Sequence, residues 1–166
     1  MKAPDPAGMR VAGNTTGARP EVAVPAPTDW RAIPPERSFY LAKWELPEGA
    51  IATLSWLGEE SGTDFIVQNV QRWLDEWQGP GGEPVADYAL VKQQNGAHTM
   101  HRIELAGTLT GTRQIGGGDP RTDWRLDGVV IESPRGPLFF KLIGPAAGVT
   151  AQREAVWRAL AGVQIR

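Results

Sequence analysis

Two histidines, His98 and His101, are the residues most suited to metal chemistry. A metal centre needs both imidazoles on one side together with further ligands, and no other residue is spaced to supply them. A three-residue step joins two side chains on one face of a helix but separates them on a strand. Because the strong hairpin turn Asn95-Gly96 precedes them, we place both histidines on a strand. We therefore expect two edge histidines and predict no metal site and no cofactor.

A glycine-rich segment, residues 116–120, invites comparison with a phosphate-binding loop. It lacks the Lys-Ser/Thr pair that follows such a loop, and it does not lead from a strand into a helix. We expect a flexible hairpin loop there. Ser133 precedes a proline in a turn, and the chain has no GxSxG nucleophile elbow. Acyl-transfer chemistry is therefore unsupported.

The acidic residues are scattered along the chain. A catalytic pair of carboxyl groups needs burial in a cleft that separates the two pKa values. Nothing in the local sequence indicates burial, so we expect these acids to be solvated. They are Glu59 and Glu60 in a loop, Asp75 and Glu76 on a polar helix face, and Asp119, Asp123 and Asp127 near the glycine-rich segment.

Asn69, Arg72 and Trp73 lie together in a predicted amphipathic helix, Thr63–Gln78. Asn69 flanks the apolar stripe of this helix, and a buried amide must be hydrogen-bonded. We interpret Asn69 as a structural anchor for a neighbouring loop or strand end, with a ligand contact as the alternative. Arg72 is placed to pair with an acid across the sheet, and Trp73 is expected in the core.

Most of the seven tryptophans are expected in the core because they fall at inward-facing steps. Trp30 and Trp124 neighbour loops and are expected to be partly exposed. Together with Asp119 and Arg125 they form our candidate set for a ligand or partner contact, since tryptophan and arginine are enriched at interfaces. The predicted core tryptophans are Trp44, Trp56, Trp73, Trp77 and Trp157.

Hydrophobic periodicity predicts the elements that must position these residues. Thr63 is placed to cap the first helix, and the run Gly79–Gly82 ends it. A second helix is predicted at 147–161. Pro84–Leu90 is ambiguous and is compatible with a short helix. The predicted strands are 38–46, 50–57, 89–94, 98–110, 123–132 and 137–144, with a short terminal strand at 163–166.

The predicted order of elements is strand, strand, helix, several strands and helix. Helices that segregate from hairpin-rich strands favour an α+β class, with an antiparallel sheet flanked by helices. Residues 1–27 lack aromatic residues and apolar periodicity, and we predict a flexible tail or tether there. Residues 28–166 are then one domain, beginning near Trp30.

Composition excludes several classes of protein. The formal net charge is −2 with mixed signs, so the basic face of a nucleic-acid-binding protein is absent. No apolar run approaches the roughly 20 residues that a membrane span needs. The chain has no cysteine, which removes disulfides, thiolate catalysis and cysteine-bound metal. Met1 to Pro27 also lacks the apolar region of a signal peptide.

Two segments together resemble a group of uncharacterised bacterial proteins, often predicted lipoproteins, of the planctomycete type. They are NVQRW at 69–73 and PLFFKLIGPAAGVTAQREAVWRAL at 137–160. Trp30 with its following proline pair, and the segment 123–126, fit the same pattern. The arrangement also resembles the PsbP-like fold, an α/β/α sandwich that includes the photosystem II extrinsic P subunit. The chain has no lipobox cysteine, so the resemblance implies a lipid anchor only upstream of the numbered residues.

Members of that fold are accessory or binding proteins, so the resemblance implies a docking role and no catalytic residues. We expect a non-enzymatic extracytoplasmic module whose partner is a protein or an envelope component. The expected location is the periplasm or the membrane surface if a signal was removed, and otherwise the cytoplasm. One alternative is a small-molecule or metal-binding protein that uses the sheet face or the loop 116–124. A hydrolase with a non-motif site is the second alternative.

Overall fold

A computed structural model of the chain describes residues 19–166. These residues form ten strands and two helices, joined by turns that include short 3₁₀ segments at Pro47–Gly49 and Thr112–Ile115. The elements are β1 (Val22–Ala23), β2 (Arg31–Ile33), β3 (Tyr40–Glu45), β4 (Ile51–Trp56), α1 (Thr63–Leu74), β5 (Trp77–Gln78), β6 (Ala89–Asn95), β7 (His98–Leu109), β8 (Arg121–Ile131), β9 (Leu138–Pro145), α2 (Ala146–Ala161) and β10 (Gln164–Ile165).

Eight of the strands form one antiparallel sheet in the order β2-β3-β4-β9-β8-β7-β5, and β6 also pairs with β7. The two-residue turn between β6 and β7 is Gly96-Ala97, one residue later than the predicted Asn95-Gly96, because Asn95 still pairs with His98. Gly96 has the positive φ, 62°, that such a tight hairpin turn favours. Side chains alternate between the two faces along each strand. The predicted α+β class, with an antiparallel sheet flanked by helices, is confirmed.

One face of the sheet, the α2 face, is covered by helix α2. Alternate residues of the central strands point there, such as Leu54 on β4, Phe140 on β9 and Val129 on β8, and all three are buried. Val149, Val156 and Leu160 of α2 pack in the same cluster. This face is therefore a continuous apolar layer.

The opposite face, the α1 face, carries a second apolar cluster. Ile66, Val70 and Trp73 recur at the four- and three-residue steps of an amphipathic helix and are buried. They pack with residues of β7, β8 and β9 that alternate with those of the α2 face, for example Phe139 and Val130. Helix α1 thus covers the part of its face that β7, β8 and β9 form.

The first helix is shorter than predicted and starts differently. It ends at Leu74, with Asp75 as its C-cap, because Trp77 and Gln78 leave the helix and pair with Leu109 and Thr108 of β7. Gly62 occupies the N-cap position without a side-chain hydrogen bond, so the predicted cap at Thr63 is wrong. The short helix considered for Pro84–Leu90 is also absent, since this stretch is irregular until β6 begins.

The C-terminal part of the predicted tail, from residue 19 onward, belongs to the fold. Val22 and Ala23 of β1 pair with Ile165 and Gln164 of β10, and Val22 packs against the core of the α2 face. Residues 1–18 lie outside the described part of the chain. Part of the predicted tail thus pairs with the domain, and the boundary at residue 27 stays a prediction. No helix within residues 19–166 is long and apolar enough to cross a bilayer.

Candidate ligand-binding cleft

A cleft of about 690 Å³ opens on the α1 face between the helix and the strands that the helix leaves uncovered. Its volume is within the range of small-molecule sites. Strands β3, β4 and β9 form the floor, helix α1 forms one wall, and the loops before β3 and after β7 complete the rim. Its lining residues are Glu36, Arg37, Phe39, Tyr40, Thr53, Ser55, Leu57, Asn69, Arg72, Trp73, Asp75, Glu76, Arg113, Gln114, Phe139 and Lys141.

The polar floor results from strict alternation along β4. Ala52, Leu54 and Trp56 point to the α2 face, whereas Thr53 and Ser55 point into the cleft. Lys141 of β9 is the register partner of Thr53, and Tyr40 of β3 is the partner of Ser55. One half of the α1 face therefore presents hydroxyl and ammonium groups, while its other half is apolar.

Gly128 of β8 determines where helix α1 rests. A methyl group at this position would come within 2.4 Å of the Trp73 ring, so only a glycine admits the indole so close to the strand. The Trp73 ring also meets Phe139 edge-to-face at a centroid distance of 6.1 Å. The helix is thereby held over β8 and β9, and β3 and β4 remain open as the floor of the cleft.

The deepest charged group in the cleft is the ammonium of Lys141. Its Nζ lies 3.2 Å from Oε1 of Glu76 and donates to Oε1 of Gln114 at 2.6 Å. The Trp73 ring lies 5.8 Å from the same nitrogen. Burial lowers the pKa of Lys141 below its ordinary value, and the charge and hydrogen bond of Glu76 oppose that shift. The floor of the cleft thus contains a desolvated cation with a single carboxylate partner.

A second ion pair closes the cleft on the β3 side. Lys43 donates to Oε2 of Glu36 at 2.6 Å, and this hydrogen bond holds the pKa of Glu36 below its ordinary value. The neighbouring hydroxyl of Tyr40 has its pKa raised by burial, and the charges of Glu36 and Glu76 act in the same direction. Tyr40 is therefore a neutral hydrogen-bonding group at neutral pH.

On the helix wall, Asn69 holds Arg72. The Nδ2 of buried Asn69 donates to the carbonyl of Phe65 at 2.8 Å, and its Oδ1 accepts from Nη2 of Arg72 at 2.8 Å. These bonds stay within helix α1, so Asn69 does not anchor a loop or strand end as we predicted. Arg72 bonds to an amide and not to an acid across the sheet. The pair instead places a guanidinium on the rim of the cleft.

Trp30 is not a surface residue. It is only 5% exposed, packs against Trp44 and Phe140, and donates from Nε1 to Oε1 of Gln152 at 3.1 Å. The expected partial exposure of Trp30 is wrong because the indole fills the core of the α2 face between β3 and helix α2. A ligand in the cleft cannot reach it through the sheet.

The other candidate contacts, Asp119, Trp124 and Arg125, also lie apart from the cleft. Asp119 is exposed in the glycine-rich loop, and its carbonyl accepts from Arg121 at 2.7 Å. Trp124 and Arg125 are half-buried neighbours on β8, so they point to opposite faces of the sheet. Trp124 packs with the cluster of the α1 face. The structure does not bring these residues and Trp30 into one site.

The histidine pair is divided as the strand periodicity predicts. His98 and His101 lie on β7, and His101 bonds to Oε2 of Glu132 at 2.6 Å. Within residues 19–166, no three histidine, aspartate or glutamate side chains cluster as a metal site would need. Gly116, Gly117 and Gly118 all have positive φ in a loop that leads into strand β8.

The residues that form the cleft were mostly missed in the sequence. Two signals were present. Thr53 and Ser55 interrupt an otherwise apolar strand at every second position, and Lys141 is the one charge within LFFKLIG. When a buried strand carries charged or hydroxyl residues on one face, that face is expected to be accessible to solvent. Which part of the face is accessible depends on the position of helix α1, and the sequence alone does not show that position.

Comparison with known proteins supports the fold. LpqN of Mycobacterium tuberculosis, a protein involved in cell envelope biogenesis, superposes with a TM-score of 0.51 at 17% identity, over 92% of this chain and 87% of that one. A protein of unknown function from Pseudomonas aeruginosa superposes with a TM-score of 0.45 at 13% identity, over 94% of this chain and 89% of that one.

No family model matches the chain, and no curated protein matches its sequence. The resemblance to LpqN covers nearly the whole of both chains. It concerns the fold alone, an α+β arrangement that LpqN shares.

Proposed function

We propose that this protein is a non-enzymatic accessory module of the bacterial cell envelope that binds a small ligand in the cleft of the α1 face. The observation that carries the proposal is the half-open α1 face itself. A sheet face with buried hydroxyl and ammonium groups costs stability unless those groups are hydrogen-bonded. The cleft keeps Thr53, Ser55 and Lys141 together at some loss of stability. Proteins commonly tolerate such a loss at functional sites.

The size and chemistry of the cleft support a ligand rather than a flat docking surface. About 690 Å³ of space is lined by the rings of Trp73, Phe139 and Phe39 together with polar groups. Apolar walls with a few convergent polar groups are typical of small-molecule sites. This is the sheet-face version of the small-molecule alternative, and it replaces the loop 116–124 as the proposed location.

The envelope assignment rests on similarity in fold and on the sequence resemblance. LpqN, whose fold this chain shares, is involved in cell envelope biogenesis. The sequence resembles a group of predicted bacterial lipoproteins with a PsbP-like fold. We propose that the residues before the domain tether it, and that the native location is the periplasm or the outer side of a membrane. A protein or an envelope component would then be the partner that receives or presents the ligand.

A binding role suits the cleft better than catalysis does. Lys141, the group whose pKa is lowered by burial, already donates to Gln114 and lies against Glu76. A general base must instead be free to take a proton from the substrate. We therefore propose that Lys141 holds Glu76 and Gln114 in place at the floor of the cleft and does not act as a base.

A ligand screen with a blocked cleft tests the binding role. Thermal unfolding is followed with a library of neutral, anionic and cationic metabolites, because a ligand that binds only the folded state raises Tm. Leu57 is half-buried on the cleft lining, so Leu57→Trp should fill the site and abolish any genuine shift. Val67→Trp is the matched control, since Val67 is exposed on α1 and does not line the cleft. A shift that survives Leu57→Trp would contradict the proposal.

Fractionation of the native organism tests the envelope role separately. An antibody against the domain should detect the protein in the periplasmic or membrane fraction. Recovery in the cytosolic fraction alone would refute the envelope assignment and leave the binding role standing.

A further inference from the structure

The charges around the cleft are unequally paired. Its lining contains the cations Arg37, Arg72, Arg113 and Lys141 and the acids Glu36, Asp75 and Glu76. We infer that the ligand is a small hydroxylated organic anion, with a carboxylate or phosphate group bound by the rim arginines. The inference rests on the proposed function of the cleft and specifies the ligand class.

The acids of the cleft are already occupied by partners inside the protein. Glu76 pairs with Lys141 at 3.2 Å, and Glu36 pairs with Lys43 at 2.6 Å. Asp75 accepts a hydrogen bond from Gln71 at 2.9 Å and lies at the helix end. Two of the three acids, Glu76 and Glu36, are therefore neutralised by lysines of the fold, and Asp75 is bound by a neutral amide.

The arginines of the cleft are not neutralised in this way. Arg37, Arg72 and Arg113 are exposed at the rim, and within residues 19–166 none of them forms an ion pair with an acid. Other arginines of the fold do form such pairs, including Arg153 with Asp127 at 2.6 Å. The excess charge of the cleft is thus positive, and it is concentrated on guanidinium groups.

One of these groups is oriented before any ligand arrives. Arg72 uses a single donor on Asn69, which is itself fixed by the Phe65 carbonyl. A guanidinium has five N–H donors in a planar fork that matches a carboxylate or phosphate with two parallel hydrogen bonds. Holding this side chain in place lowers the entropy that a ligand must offset. A neutral ligand would give no reason to orient a cation there.

The floor of the cleft specifies the rest of the ligand. Tyr40, Thr53 and Ser55 present hydroxyl groups side by side on adjacent strands. Hydroxyl groups both donate and accept hydrogen bonds, and they pair well with the hydroxyls of a sugar acid or a polyol phosphate. Beside them Lys141 is already paired with Glu76 and Gln114, so the anionic group is left to the rim arginines. The cleft can therefore accommodate both the anionic group and the hydroxylated body of the ligand.

The test uses matched pairs of compounds at constant ionic strength. Gluconate is compared with glucose, and glycerol phosphate with glycerol, so that each pair differs in its anionic group. We expect the anions to raise Tm and the neutral compounds to leave it unchanged. Phosphatidylglycerol vesicles are included because a phosphate can also come from a lipid headgroup, and binding to the vesicles alone would refute a soluble ligand.

Single variants decide which residues recognise the anion. Arg72→Gln and Arg113→Gln should each weaken binding of the anions by about tenfold or more. Arg158→Gln is the control, because it removes the same charge from an exposed position on α2, across the sheet from the cleft. Unchanged affinity in both cleft variants, or equal binding of glucose and gluconate, would overturn the inference.

The two proposals fail in distinguishable ways. If the screen finds a neutral ligand that Leu57→Trp displaces and Arg72→Gln retains, the cleft is a binding site but the anion inference is refuted. If no compound gives a shift that Leu57→Trp removes, both proposals are refuted. Anion binding that Arg72→Gln weakens and Arg158→Gln retains supports both.

Discussion

The two helices cover the two faces of the sheet to different extents. Helix α2 seals the α2 face, where Phe140, Leu138 and Leu142 of β9 are fully buried. Helix α1 covers only part of the α1 face, and strands β3 and β4 are left beside it as the floor of the cleft. One face is built for stability, whereas the other gives up part of its apolar packing to hold charged and hydroxyl groups. The binding site that we propose lies where helix α1 leaves the sheet uncovered.

Truncation of two adjacent phenylalanines on β9 should give the largest difference in stability between the two faces. Phe140 has no exposure and lies in the sealed core, so Phe140→Ala should cost about 3–5 kcal/mol of unfolding free energy. Phe139 lines the cleft, where water can enter the space left by the ring, so Phe139→Ala should cost at least about 1 kcal/mol less. Urea denaturation of both variants measures the difference. Equal losses would mean that the two faces are equally well packed.

A methyl group at Gly128 should disturb the α1 face while sparing the α2 face. The added Cβ would meet the Trp73 ring at 2.4 Å and Ile103 at 3.0 Å, so Gly128→Ala should cost about 1–3 kcal/mol through overpacking. Because Trp73 carries helix α1, ligand affinity in the cleft should fall as well. Near-ultraviolet circular dichroism would report the change around Trp73. An unaltered spectrum with full stability would show that the helix does not depend on this contact.

Lys141, on the α1 face, should make the free energy of unfolding of the domain depend on pH. Because burial lowers the folded-state pKa of Lys141, the unfolded chain keeps that proton to a higher pH than the folded chain does. The free energy of unfolding therefore gains a term that rises with pH up to the ordinary lysine value of 10.5. In Lys141→Met this term is lost, so the stability of the wild type relative to the variant should increase with pH. Urea titrations across the alkaline range measure it, and a pH-independent difference would contradict the burial of the charge.

The smallest effect is expected at Asn69. A loss of about 1–3 kcal/mol would be expected for Asn69→Ala if the substitution left a buried partner unpaired. The structure lowers that expectation to less than about 1 kcal/mol, because the partners are the Phe65 carbonyl of the same helix and the exposed Arg72. Ligand affinity should fall more than stability does. A large loss of stability with intact ligand binding would make Asn69 purely structural.

The fold was more accessible from the sequence than the cleft. Alternation in 50–57 and 137–144, the turn Asn95-Gly96 and the stripe of the first helix were enough for the α+β class, since each depends on local periodicity. The short strands β1, β2 and β5 were missed because two or three residues carry no period. The end of α1 was also missed, because the pairing of Trp77 with Leu109 is a tertiary contact.

The candidate site was sought in loops, where binding residues are often found. The structure instead brings together five separate segments of the chain, 36–40, 53–57, 69–76, 113–114 and 139–141. Their proximity depends on strand order, since β4 lies beside β9 although many residues separate them. It also depends on the contact of Trp73 with Gly128, which positions helix α1. Neither the strand order nor this contact can be derived from a local sequence pattern.

Strands β1 and β10 have a consequence for how the molecule can be rebuilt. Glu21 and Arg166 exchange two backbone hydrogen bonds, of 3.0 and 2.8 Å, so the two ends of the folded domain lie side by side. A short peptide could therefore join them, and new ends could be opened in the loop at Gly117, giving a circular permutant with the same architecture. A reporter inserted in that loop would lie at a different place on the surface from one fused at Glu21 or Arg166. The order of the chain is thus separable from the arrangement that forms the cleft.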